Sequence, residues 1–144
     1  MARFVVDETY APLVIFKVDG RLNINWFGEL TPSLERYIHD QQPYALLMDF
    51  RTAKGAADPR INQFWTRWTK PRRHEIHEYC IGTSLCISSV ILRKIASAVV
   101  KFVNPPHPST IHNRMHGALA DIEHWASHRG LDLKLPDPDY TTHL

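Results

Sequence analysis

Apolar and polar positions follow three patterns along this chain. Two short β-rich runs, Arg3 to Val6 and Leu13 to Val18, flank the turn formers of Asp7 to Pro12 and predict an antiparallel pair. Asp19-Gly20 ends the second run in a turn. A different pattern covers Tyr44 to Phe50, which is apolar apart from Asp49. Unbroken apolarity at strand length marks a strand buried on both faces, as in a parallel sheet. Between these runs Phe27, Leu30, Leu34 and Ile38 recur at helical spacing, with Trp26 and Tyr37 beside them. Pro32 suits the first helical position behind a Thr31 cap. The expected helix therefore runs from Thr31 to about Gln41, and Pro43 stops it.

The third pattern repeats strand then helix. Arg51 to Ala57 reads as a polar loop, and Asp58-Pro59 as an N-cap with proline at the first helical position. Ile61, Phe64, Trp65 and Trp68 form one helical face; Pro71 closes it and Arg72-Arg73-His74 follow as a loop. Glu78 to Ser88 alternates. Tyr79, Ile81, Thr83, Leu85 and Ile87 point one way, and Cys80, Gly82, Ser84, Cys86 and Ser88 the other. The uniformly small face predicts close approach of a helix, or alternatively the floor of a ligand cavity beneath that helix. Ser88-Ser89 can cap a helix over Val90 to Phe102, with Ile91, Ile95, Ala98, Val99 and Phe102 as its core face. Asn104-Pro-Pro-His-Pro108 is a rigid connector, and Ser109 to His112 a short strand. A last helix spans about Met115 to His128, with Ala118, Leu119, Ile122, Trp125 and Ala126 inward and Gly130 as its stop.

The order is thus β-β-α-β-α-β-α-β-α, an α/β fold whose mixed, mostly parallel sheet has about five strands and about four helices. A single domain over residues 1–130 is expected, followed by an irregular tail, 131–144, in which Leu131, Leu133 and Leu135 can dock.

Composition adds bounds rather than a function. The chain has 144 residues, 44% hydrophobic and 22% charged, as expected of one globular domain. Its formal net charge is +2, unevenly spread: Arg60 to Lys101 holds eight Lys or Arg against two Glu. That block can be a solvated face or can meet an acidic surface. No apolar run reaches the roughly 18 residues of a membrane span, and the first residues lack a signal-type apolar core. Cys80 and Cys86, in one extended strand, would lie about 20 Å apart, beyond the roughly 7 Å a disulfide spans. Free thiols suit a reducing compartment, so a cytoplasmic location is expected.

The strand and turn Val14 to Gly20, the strand end Leu46-Leu47-Met48-Asp49-Phe50-Arg51 and the closing Gly117-Ala118-Leu119-Ala120-Asp121-Ile122-Glu123-His124-Trp125 together resemble the SpoIIAA-like branch of the STAS family (sulphate transporter and anti-sigma factor antagonist domains). The resemblance covers roughly residues 3–130 and rests on pattern, not on one short motif. It implies a cytoplasmic α/β regulatory module without catalysis. In that family a Ser or Thr beside an Asp, at the helix start after the central strand, is the phosphorylated switch. Here that place reads Asp58-Pro59-Arg60, without a hydroxyl, and Thr52 is the nearest substitute. A phosphate there would add about −1.5 to −2 charge beside Arg51, Lys54 and Arg60. The resemblance extends to the fold of lipid-carrying Sec14-type proteins, which keeps an apolar ligand in view.

No catalytic constellation stands out. There is no phosphate-cradling GxGxxG or Walker pattern and no G-x-S-x-G elbow. His74-Glu-Ile-His77-Glu78 lacks the i, i+4 spacing of the HExxH zinc motif. His124 and His128 have that spacing but fall on the outer side of the last helix, without a Cys partner, so no metal site is assigned. Trp65 and Trp68 lie on a predicted core face, which argues against stacking on nucleic acid. Two functional expectations follow, neither with a cofactor. The first is a non-catalytic module that binds a partner protein through Arg51, Thr52, Lys54, Asp58 and Arg60, as monomer or homodimer. The second is a carrier or sensor of an apolar, lipid-like ligand, held between the sheet and helix 90–103 by Gly82, Ser84, Cys86, Ile95 and Val99.

Overall fold

The computed structural model describes residues 3–54 and 58–140. The antiparallel pair forms as β1 (Arg3–Asp7) and β2 (Leu13–Arg21). After a 3-10 turn at Ile24–Trp26 come α1 (Phe27–His39), β3 (Tyr44–Lys54) and α2 (Ile61–Thr69). A second 3-10 turn, Lys70–Arg72, leads to α3 (Arg73–Tyr79), β4 (Cys80–Ile87), α4 (Val90–Val103), β5 (Ser109–His112) and α5 (Met115–His128). The five strands lie side by side in chain order, with β2 to β5 parallel. The expected order holds, with α3 added.

Both faces of the sheet are covered, as continuous apolar strands require. One face carries Val14, Phe16, Leu46, Met48, Leu85 and Ile87 and is packed by α1 to α4. The other carries Leu13, Ile15, Ala45, Leu47 and Cys86 and is packed by α5. Leu47 and Ile15 are fully buried, each contributing about 1.5–3 kcal/mol relative to exposure.

Four local expectations are corrected. Helix α1 begins at Phe27, so Thr31 does not cap it and Pro32 lies inside. The 3-10 turn, capped by the Asn23 side chain accepting from the Asn25 N–H, runs directly into α1 and supplies its start. Pro32 denies a hydrogen bond only to the carbonyl of exposed Gly28, which water can reach. Residues 73–79 are helical rather than a loop and a strand start, because Ile76, 1% exposed, is drawn into the core. The polar loop after β3 starts later than expected. β2 continues to Arg21, so Thr52, Ala53 and Lys54 find ladder partners in Asp19, Gly20 and Arg21. Residues 55–57 of that loop lie outside the described residues.

The fourth correction concerns α4. Its apolar residues encircle it, so periodicity alone misassigned its inner side. Leu92, Ile95, Ala96 and Val99 pack inward, whereas Ile91 and Phe102 are 69% and 65% exposed; Ala98 also faces out.

The irregular chain after α5 docks on the core, as its leucines suggested. Leu131, Leu133 and Leu135 pack on the α5 side of the core, and Tyr140 is buried there against Tyr10. The Tyr140 hydroxyl donates to Asp7 Oδ2 at 2.5 Å. Residues 131–140 thus form an irregular segment docked on the domain; residues 141–144 lie outside the described residues.

Candidate functional site: an apolar cavity beneath helix α4

Between the sheet and α4 lies a cavity of about 130 Å³. Leu46, Met48, Leu85 and Ile87 line it from the strands, and Ile95 and Val99 from α4. Trp65 and Trp68 of α2 close another side; both belong to the core side of their helix, as expected. The Trp68 indole N–H donates to Glu35 Oε1 at 2.9 Å, which fixes the ring.

The cavity is mostly apolar; Thr69 and Ser109 contribute to its wall, and Tyr44, Cys80, Thr83 and His107 form a polar seam along it. The Tyr44 hydroxyl and the Cys80 thiol lie side by side in the seam, each influencing the other's ionisation. Thr83 Oγ1 is 2.8 Å from His107 Nε2. The proline-bounded connector sets this histidine in place: the Thr83 N–H donates to the Pro108 carbonyl at 2.9 Å, and His77 Nδ1 lies 3.1 Å from the Pro106 carbonyl oxygen. His107 Nδ1 is buried and has no hydrogen-bond partner.

Burial sets the ionisation of this seam. It pushes His107 down to about 4, Cys80 up to about 11 and Tyr44 well above its ordinary value. All three are neutral at pH 7. A thiol held protonated is a poor nucleophile, so the seam offers hydrogen bonds rather than covalent chemistry.

Of the residues expected to line a ligand pocket, Ile95 and Val99 do so. Gly82, Ser84 and Cys86 lie on the opposite face of the sheet, beneath α5. A β-bulge, where Tyr44 pairs with Cys80 but Ala45 with Gly82, breaks the simple alternation of β4. It turns Cys80 to the cavity side and Ile81 to the α5 side. A Cβ on Gly82 would lie 2.3 Å from Trp125 Cε3, so close helix approach explains this glycine. Ser84 Oγ is 3.2 Å from Thr110 Oγ1. The cavity is therefore floored by the large face of β4. Thr83 and His107 were not singled out from sequence; the one available signal was a histidine among prolines at a strand's start.

The residues expected to capture a partner protein are largely engaged within the chain. Arg51 donates to both carboxylate oxygens of Asp49, at 2.8 and 2.9 Å, and to the Tyr140 carbonyl at 2.5 Å. Thr52 Oγ1 donates to the Val18 carbonyl at 3.3 Å. The Asp58 side chain accepts the Arg60 N–H at 2.9 Å and pairs with its guanidinium at 2.6 Å. Asp58 thus orders the turn before α2, which begins at Ile61 instead of Pro59. Lys54 is exposed at the end of β3.

The buried Lys17, whose Nζ lies 3.2 Å from Asp49 Oδ2, completes an ion cluster with Asp49 and Arg51. Burial alone would raise the Asp49 pKa, but the bonds from Arg51 and the charge of Lys17 outweigh it and hold the carboxylate below its usual range.

Elsewhere, His112 Nε2 on β5 meets Asp121 Oδ2 on α5 at 2.5 Å, and His124 and His128 face each other at 3.1 Å on the exposed side of α5. Among the described residues no group of three or more His, Cys, Asp or Glu side chains is placed to hold a metal ion, and no helix is long and apolar enough to cross a membrane.

A five-stranded mixed sheet with its helices in this order is a SpoIIAA-like fold. The crystal structure of an uncharacterized protein of the DUF3478 family from Shewanella loihica PV-4, described as having that fold, superposes with a TM-score of 0.54. The match covers 83% of this chain and 91% of the other at 13% identity. No protein-family model and no curated protein matches the chain.

Proposed function

We propose that this protein binds a small apolar ligand in the cavity beneath α4. The observation that carries this reading is the cavity itself, lined by core side chains and left open where close packing would ordinarily fill the space. Its volume of about 130 Å³ sets the cargo. An engineered apolar cavity of about 150 Å³ stays dry and takes up benzene. A single ring or a short branched chain fits; a long acyl chain requires α4 to move outward.

The test is a titration with benzene followed through the methyl resonances of Ile95 and Val99. These methyl signals are expected to shift saturably. Val99→Trp fills the space and abolishes the shift of Ile95 while the fold persists. Methyl signals that stay put in the unmodified protein would sink the reading.

A second reading concerns the outer side of α4. Exposed Ile91 and Phe102 lie there with Lys94 and Lys101, a combination that suits shallow contact with an anionic lipid surface. The regulatory, partner-protein reading draws on Thr52, Lys54 and Arg60, which are exposed at the end of β3 and in the turn before α2. Vesicles carrying anionic lipid are expected to co-sediment the protein, and Ile91→Glu with Phe102→Glu to release it. Equal sedimentation of the double variant would remove α4 from any such contact.

A further inference from the structure

We infer that the cavity is built for a neutral ligand carrying one hydroxyl group, with His107 Nδ1 as the atom that binds it. The inference rests on the apolar-ligand reading above and adds the chemistry of the ligand's polar end.

An imidazole nitrogen buried without a partner forfeits a hydrogen bond that water would have given it. His107 Nδ1 is in that condition, on a residue that lines the cavity. Its other nitrogen is already committed to Thr83, so the ring cannot turn over to satisfy Nδ1 without releasing Nε2. Thr83 Oγ1 is occupied by that same contact, and among the described residues that line the cavity His107 Nδ1 is the one side-chain atom found buried without a partner. Nδ1 is therefore where a ligand gains a hydrogen bond without displacing one the protein makes.

The two ends of the seam decide the ligand's class. If Thr83 donates to Nε2, Nδ1 carries the proton and requires an acceptor. If Nε2 donates to Thr83, Nδ1 is bare and requires a donor. A hydroxyl serves either tautomer, whereas a carbonyl only accepts and an ammonium, the form of an alkylamine at pH 7, only donates. An ionised carboxylate is excluded by cost, since the wall has no cation to pair with it: the lining side chains are apolar or neutral. The same burial that leaves Nδ1 unpaired keeps the ring neutral at pH 7, so it presents no charge for an anion to meet. The size limit then points to a phenol or a compact alcohol.

Phenol and benzene have nearly the same shape and differ by the hydroxyl, which makes them the decisive pair. Their affinities are compared by NMR titration for the unmodified protein and for His107→Phe, with the Ile95 and Val99 methyls reporting occupancy of the cavity. Phenol is expected to bind about tenfold more tightly than benzene in the unmodified protein, as a satisfied buried hydrogen bond allows. The difference should collapse in His107→Phe while benzene binding persists. In the unmodified protein the His107 Nδ1 nitrogen resonance should move with phenol and stay fixed with benzene, a readout that does not depend on the variant folding. Benzene and phenol binding equally, or phenol leaving Nδ1 unmoved, overturns the assignment of His107 and leaves the apolar cavity standing. Neither compound binding overturns both.

Discussion

Asp49→Asn is expected to lower the unfolding free energy by about 3–5 kcal/mol, because it leaves the buried Lys17 and the half-buried Arg51 without their counter-charge. Asp49 is fully buried and Lys17 is 7% exposed. The carboxylate accepts from Lys17 and from the Arg51 backbone, Nε and Nη2. Arg51 in turn holds the carbonyl of Tyr140, so the substitution also loosens the docked tail. Chemical denaturation monitored by circular dichroism measures the loss. A change below about 1 kcal/mol, the usual worth of an exposed pair, would show that water already screens this cluster.

The cluster also gives stability a pH dependence, with its sign set by depressed pKa values. The folded-state pKa of Asp49 lies below its unfolded value. Its contribution is therefore complete above about pH 4, the ordinary carboxylate range, and disappears as the pH falls through the folded value. His107 acts in a higher window. Its pKa falls from 6.5 to about 4 on folding, so the unfolded chain takes up a proton that the folded chain refuses. Stability thus begins to decline below pH 6.5 and continues to do so toward pH 4. His107→Phe should flatten the first decline and leave the Asp49 decline in place.

Gly82→Leu is expected to prevent folding at 37 °C, and Gly82→Ala to cost about 1–3 kcal/mol, the usual penalty of overpacking a close contact. Seen from sequence alone, the same enlargement should block a ligand pocket and spare the fold. The structure reverses that expectation, since the space above Gly82 belongs to Trp125 at 2.3, 2.6 and 2.8 Å from an added Cβ. Trp125→Leu in the Gly82→Ala background should recover stability, giving a coupling energy between the two sites. Additive losses would mean that the indole moves aside freely and that the glycine serves another purpose.

The Gly82 case marks how far the sequence could be read. The strands at Leu13 to Val18 and Tyr44 to Phe50, the Ser89 cap of α4 and the inward side of α5 were legible because each depends on local spacing, capping or unbroken apolarity. Asp49 was visible as the one charge in an apolar run, but its partner Lys17 was not. The two meet through a parallel pairing, 32 residues apart in the chain.

The sequence by itself determined the class of fold, the order of its strands and helices, and the placement of Ile95 and Val99 toward a space between sheet and helix. Tertiary structure decided which face of the sheet owns that space. A one-residue bulge in β4 shifts every later side chain relative to the neighbouring strand, and no local pattern signals it. Nor does periodicity show which side of an all-round apolar helix such as α4 turns inward, because packing on neighbouring elements settles that. The unpaired nitrogen of His107 was beyond reach for the same reason: whether a buried polar atom has a partner depends on contacts across the fold, here between the connector and β4, and not on its place in the chain.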